Sequence, residues 1–245
     1  MSIQRITIAD VPVDIIRQED MEAAVLALLE KPGAKQIVFL SVWGLLKARR
    51  KGNFRDAVTN ADLILPVSKS IIKGALFLKK APPLRYNPFT AVIQILSILD
   101  SHFKSLYLFG AHPETLRAAE RNVRATFPTL HLVGRCAGYY RKSAEDNVIK
   151  AIYKAAPSLV LIGDGIKEKD CWPYSRRNSF LSSIFLYYRE SIGIFSKRIK
   201  RVDERAFDRG HEIFFEILHN PLKVFLIFPF IWYALLLVWE RFFKK

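Results

Sequence analysis

The sequence predicts an α/β fold, a parallel sheet flanked by helices, with a separate helical appendage at the C-terminus. Three observations carry this expectation. Short apolar runs alternate with amphipathic helical stretches, most of those runs end in turn residues, and the composition changes abruptly near Lys197. A chain of 245 residues holds one such domain and a small appendage, not two large domains. The expected division is 1–196 and 197–245.

From the N-terminus, Met1 leads into QRITIADVPVDI with no secretory apolar region. A first helix places Met21, Val25, Leu28 and Leu29 on one side and stops at Lys31-Pro32-Gly33. The runs KQIVFLS, DLILPVS, KSLYLFG, LHLVGR and SLVLIGDG read as strands. Between them, PETLRAAERNVRATF puts Leu116, Ala119, Val123 and Phe127 on one helical face, with Pro113 suited to the first position. In SAEDNVIKAIYKAA, Ser143 and Asp146 have capping-box spacing, and Val148, Ile149, Ile152, Tyr153 and Ala156 form the expected buried stripe.

The charge balance points outward. With 38 Lys+Arg against 23 Asp+Glu, the formal charge of +15 calls for an anionic surface or ligand. Zinc-finger spacing, an RNP-like strand and a basic region opening into heptads are all missing from the sequence, so nucleic acid is disfavoured. Cys136 and Cys171 stand alone without a C-x-x-C, which fits a reducing, cytoplasmic compartment. No His, Asp or Glu cluster has metal-ligand spacing.

Ligands of parallel α/β sheets bind at the carboxyl ends of strands, where helix N-termini offer N–H groups to phosphates. Three segments end that way. In LYLFGAHPE, Gly110 precedes a helix, so amides near Ala111 and His112 can face a diphosphate; a glycine needed only for the turn explains the pattern equally well. In VGRCAGYY, Gly134 and Gly138 free the backbone, and Tyr139 or Tyr140 can stack on a nucleobase, with core or lid packing as the alternative. In LVLIGDGIKEKDCW, a strand runs into Gly163-Asp164-Gly165 and a helix carrying Lys167, Lys169, Asp170 and Trp172. Lysines there neutralise a leaving diphosphate, and Asp164 or Asp170 orients sugar hydroxyls or accepts a proton. An ordinary Asp-Gly turn before a solvated helix start accounts for the same residues.

Beyond Ser196 the stretch SKRIKRVDERAFDRGHE is dense in charge, whereas Val224 to Trp239 has none. Those 16 uncharged residues would span roughly 24 Å of helix against a hydrocarbon core of about 30 Å, and Pro229 would kink it. Partial immersion is therefore expected over spanning, with a single-pass transmembrane helix, lengthened by a snorkelling Lys223, and a buried core helix as the alternatives. Phe225, Phe228, Trp232, Tyr233 and Trp239 suit the interface, Lys223 can snorkel, and Arg198, Lys200, Arg201, Arg205 and Arg209 can meet anionic lipid.

Taken in order, these segments resemble the WecG/TagA/CpsF glycosyltransferase family (glycosyltransferase family 26). LYLFGAHPETLRAAERNVRATFPTLHLVGRCAGYY is similar to its strand, Gly turn, helix and "GYF" run, and IGDGIKEKDCW to its "vGlGsPkQE-x-W" segment. NADLILPVSKS is similar to "eADlvlPDG", and HEIFFEILHNPLK to "lEWlyRLlqePrR", with Glu212 and Pro221 in register. The resemblance implies a Rossmann-like enzyme of cell-surface polysaccharide synthesis, working without a cofactor at the cytoplasmic face of the membrane. It would move an N-acetylmannosamine-type sugar from a UDP-sugar donor to a polyprenyl-diphosphate-linked acceptor; a homo-oligomer is left open.

The chain departs from the family pattern on the catalytic side. The acidic residue of "PDG", the family's proposed general base, falls on Val67 and the next Gly on Ser68. The "T-x-N" pair falls on Phe39 and Ser41, "G-s-D" on Tyr86, Asn87 and Pro88, and "VGgafD" becomes YYRESIG. The Gln and Glu of the third segment fall on Lys169 and Asp170, while the "RAP" arginine survives as Arg201. The implied substrate site thus comprises Ser41, Gly110, Ala111, Gly138, Tyr139, Gly163, Gly165, Lys169 and Arg201. Either Asp164 or Asp170 supplies a relocated base, or the protein keeps the fold and a ligand site without turnover.

Overall fold

A computed structural model describes residues 3–201, Phe207 and 227–243. Its centre is a six-stranded, fully parallel sheet in the order β4-β3-β8-β7-β5-β6. The strands are β3 (Gly33–Leu40), β4 (Leu63–Pro66), β5 (Ser105–Phe109), β6 (His131–Cys136), β7 (Leu159–Ile162) and β8 (Ser182–Tyr187). Alternate side chains sort onto the two faces, as the pleat requires. Ile37, Leu63, Leu65, Leu106, Leu108, Leu159, Leu161, Ile184 and Leu186 pack under α1 (Met21–Glu30), α5 (Pro88–Ser101), α6 (Pro113–Thr126) and α9 (Ser191–Phe195).

The other face has two cores. Tyr107, Phe109, Val160, Ile162 and Phe185 meet α7 (Glu145–Ala155) and α8 (Cys171–Ser175). Val38, Leu40 and Ile64 meet α2 (Val42–Ala48), α4 (Lys69–Phe77) and the last described helix, α10 (Ile227–Phe243), with α3 (Asn53–Thr59) adding Val58. The α/β, Rossmann-like expectation holds, as do the buried stripes of α1 and α6.

An antiparallel hairpin, β1 (Gln4–Ile8) and β2 (Val11–Ile15), completes the second core. Ala9 and Asp10 turn it with φ of 49° and 66°, the two successive left-handed residues of a tight hairpin. Asp14 is fully buried, takes Arg5 Nε at 2.6 Å, and accepts the Ile64 N–H of edge strand β4 at 2.7 Å. A carboxylate thereby occupies a strand edge that would otherwise present an unpaired donor.

Several local expectations need correction. Ser143 lies in a 3₁₀ turn and makes no capping box; α7 starts at Glu145 after Ala144, with no side-chain cap. Tyr153 and Ala156 are exposed, because the helix phase turns only Val148 and Ile152 fully inward and Ala156 forms a left-handed C-cap. Lys167, Lys169 and Asp170 precede α8 in turns rather than riding on a helix.

Candidate functional site

Loops leaving β5, β6 and β7 interlock at the carboxyl edge of the sheet. Ala111 N–H donates to the Asp164 carbonyl at 2.6 Å, Gly138 N–H to Ala111 at 2.9 Å, and Tyr139 N–H to Gly165 at 3.0 Å. Gly110 and Gly163 N–H groups are bound to Cys136 and Phe109. The Ala111 amide expected to face a diphosphate is therefore already engaged. Here the glycines serve loop packing: a Cβ on Gly138 would lie 2.7 Å from the Asp164 carbonyl, and Gly110 adopts φ 132° with the same carbonyl 2.8 Å from its Cβ position. Gly134 likewise makes room for the Tyr107 ring rather than freeing backbone for a ligand.

On this frame sits a polar cluster. Tyr139, half exposed at φ 58°, stacks on His112 with centroids 4.3 Å apart and planes at 9°. Its hydroxyl donates to Asp164 Oδ2 at 2.5 Å, and Arg189 Nε donates to Oδ1 at 3.2 Å. The Tyr139 hydrogen bond, with the Gly165 N–H and Arg189, holds the Asp164 carboxyl below the usual range against partial desolvation. Asp164 is thus a fixed anion and a weak proton acceptor at neutral pH. Tyr140 is half-buried, accepting Trp172 Nε1 at 2.8 Å and stacking on Phe109 while also lining the cavity beside Tyr139.

Beside Tyr139 and Gly165 opens a cavity of about 300 Å³ whose edge carries Lys142 and Lys167. Its carboxylates, Glu145 and Glu168, are both held by Arg176 at 2.6 Å. Arg176 lowers the Glu168 carboxyl, keeping it charged and paired, so the two exposed lysines are the cations left to meet an incoming anion.

Asp170 lies elsewhere, next to Lys47 and Lys169, with its carbonyl accepting Gln36 Nε2 at 2.8 Å. Burial raises its carboxyl to about 7, opposed by its own N–H and the two lysines. It therefore titrates near neutrality, as a proton acceptor requires. Tyr187, at the end of β8, is raised to about 12 by burial and feels both Asp170 and Asp164. Lys169 is exposed at φ 51°.

At the ends of β3 and β4 the groups are structural caps. Ser41 Oγ accepts the Gly44 N–H at 3.1 Å, and Ser68 Oγ accepts the Val42 N–H at 3.0 Å. Val67 offers no acidic group; its carbonyl takes Arg85 Nε at 2.9 Å, and Arg85 lies over the Phe207 ring at 3.6 Å. Asn87 Oδ1 caps α5 while its Nδ2 is buried without a partner among the described residues. Arg201 donates to Thr90 at 3.0 Å on the same side, away from the Tyr139 cluster. The residues read from sequence thus fall into two groups, one on the β5–β7 loops and one near β4 and α5. Sequence reading missed Arg85 and Arg189. Their one signal was position, each just past a strand end or beside a helix cap.

In the C-terminal segment, Lys223 and Phe225 lie outside the described residues. Phe228, Trp232 and Trp239 are 64%, 56% and 51% exposed. Tyr233, expected at the interface, is buried instead, with its hydroxyl donating to the Ser70 carbonyl at 3.3 Å. Among the described residues, no helix is long and apolar enough to cross a membrane, and no group of three His, Cys, Asp or Glu could hold a metal.

Comparison with known proteins adds an independent line. The model of the "Glycosyl transferase WecG/TagA/CpsF family" matches residues 6–245. The chain is 20% identical over 171 residues to a Bacillus subtilis (strain 168) protein named N-acetylglucosaminyldiphosphoundecaprenol N-acetyl-beta-D-mannosaminyltransferase, covering 70% of this chain and 66% of that one. Against a Staphylococcus aureus (strain NCTC 8325 / PS 47) protein of the same name it is 20% identical over 148 residues, covering 60% and 58%. In each case the chain spans less than two thirds of the relative's length. Because the family match runs through every strand of the parallel sheet and the loops at its carboxyl edge, the chain belongs to the glycosyl transferase WecG/TagA/CpsF family.

Proposed function

We propose that the chain is a glycosyltransferase that moves an N-acetylmannosamine-type sugar from a UDP donor to a polyprenyl-diphosphate-linked acceptor in cell-surface polysaccharide synthesis. Family membership and the names of the relatives support the reaction class. The observation that carries the donor reading is the Tyr139–Asp164–Arg189 cluster beside a cavity edged by Lys142 and Lys167. Tyr139 presents an aromatic surface to the nucleoside, Asp164 accepts hydroxyl hydrogen bonds as a permanent anion, and Arg189 with the lysines neutralises charge building on a departing diphosphate. With Val67 at the family's base position, Asp170 is the carboxylate whose protonation suits acceptor deprotonation near neutral pH. The segment 197–245 is assigned to membrane association at the cytoplasmic face, where a lipid-linked acceptor resides.

A second reading, a membrane-bound relative that binds without turnover, is favoured by the structural occupation of Ser41 and Ser68 and by the missing acid at Val67. Titration with UDP and UDP-N-acetylhexosamines, followed by radiolabel transfer onto polyprenyl-diphosphate-sugar acceptors, separates the two. Binding with transfer supports the enzyme, binding alone supports the silent relative, and failure to bind removes the donor site.

A further inference from the structure

The C-terminal helix is apolar on its outer face as well as on the face it packs against the body. Its inner face is fixed to the body: Tyr233 and Leu237 are buried against α4, where a side chain on Gly74 would collide with the Tyr233 hydroxyl. Glu240 also points inward, accepting the Ala9 N–H at 2.6 Å and Lys80 Nζ at 2.6 Å. The outward face carries Phe228, Trp232, Trp239, Phe242 and Phe243, the last 74% exposed. A soluble helix places charge outside and apolar groups inside; this one is apolar on both faces, with Glu240 buried and large aromatic groups outside.

Between this helix and α2 lies a groove of about 900 Å³. Its apolar wall includes Trp43, Leu46, Ile231 and Leu235, and Trp43 meets Phe230 edge-on at 5.4 Å near the carboxyl end of β3. Lys47, Arg49 and Arg50 also line it, and among the described residues no carboxylate does, although Arg49 pairs with Asp10 at 3.7 Å. Arg49 is tied to the Ala9 carbonyl and Lys47 lies over the Phe54 ring, whereas Arg50 is exposed and makes no ion pair among the described residues.

We propose that this groove holds one hydrocarbon chain of an anionic bilayer phospholipid, with its phosphate on Arg50 and Lys47, while the outer face of α10 lies flat in the membrane interface. The proposal rests on the membrane association argued above and extends it from a surface to a lipid site. The argument is complementarity. A long apolar trough excludes a soluble anion, and the cations along it, with Arg50 exposed and outside any ion pair among the described residues, disfavour a purely apolar occupant; a phospholipid supplies both chemistries in one molecule. The helix lies along the protein and keeps a buried Glu240 anchor, an arrangement suited to lying in the interface rather than across it.

The test uses the full chain and vesicles of phosphatidylglycerol with brominated acyl chains, which quench tryptophan at contact. Of the four tryptophans, Trp172 is 1% exposed and serves as an internal background. In the W232F/W239F variant, the Trp43 share of the emission is expected to be lost on vesicle addition and the Trp172 share to remain. In K47A/R50A, partitioning to these vesicles, read by sedimentation, is expected to fall tenfold or more, in line with about 1 kcal/mol per cation near an anionic surface. If wild-type protein sediments with vesicles and Trp232 and Trp239 are quenched while Trp43 stays bright, the groove is filled by protein, its own chain or a second copy, and the lipid site is overturned while membrane association stands. If nothing sediments, both fall.

Discussion

Asp164 and Asp170 share one turn-rich segment yet titrate in opposite directions, and the cause is their neighbours. Asp164 is lowered first by the Tyr139 hydroxyl, so its contribution to stability is present above the ordinary 3.8 and lost as pH falls through its depressed value. Tyr139→Phe removes that donor and should bring the Asp164 titration, followed by carboxyl NMR, back toward 3.8, with UDP affinity reduced several-fold. Asp170 is raised by burial to about 7, so ionising it costs stability progressively between 3.8 and 7. Asp170→Asn should therefore stabilise the protein above pH 7 by about 1–2 kcal/mol, allowing for screening of a partly exposed residue, and should change little below pH 4. Denaturant unfolding at the two pH values checks this. If Asp170 is the base, the same variant also loses sugar transfer while retaining UDP binding.

Among the elements, the N-terminal hairpin shows how one buried carboxylate organises neighbours. Asp14 joins β2 to Arg5 on β1 and to the Ile64 N–H of β4. Asp14→Asn keeps the shape but removes the charge-assisted bonds, and a loss of about 1–3 kcal/mol is expected by urea denaturation. The sequence reading passed over this hairpin because its turn, Ala9-Asp10, lacks the glycine or asparagine that usually announces one. It also missed β8 as a strand in its own right: SSIFLYY carries no period that separates strand from helix, and only pairing between β3 and β7 decides it. The strands β3 to β7 and helices α1 and α6 were legible because each combines periodicity with a boundary residue.

In the whole molecule, α10 ties together elements distant in sequence. Glu240 bonds the hairpin turn and Lys80 beyond α4, so one side chain bridges both ends of the chain. Glu240→Ala should lower stability by about 1–3 kcal/mol, less than a fully buried pair because the Lys80 side chain is 32% exposed. It should also make Trp43 and Phe230 more accessible, measurable by acrylamide quenching of the Trp43 share. Across the chain, 38 basic residues against 23 acidic ones favour an anionic partner surface.

The sequence by itself determined the α/β class, most of the parallel strands, the three Gly-bearing turns and the apolar C-terminal run, because these depend on local periodicity and turn chemistry. Only the tertiary structure decided that the turn glycines pack loops against one another, that Tyr139 faces out while Tyr140 is half-buried, that Arg189 reaches Asp164 and that Arg85 takes the Val67 carbonyl. It also decided which face of α10 is buried. Each of these depends on what lies across a gap from the residue, through hydrogen bonds and burial between segments far apart in the chain, and a local pattern carries no record of that neighbour.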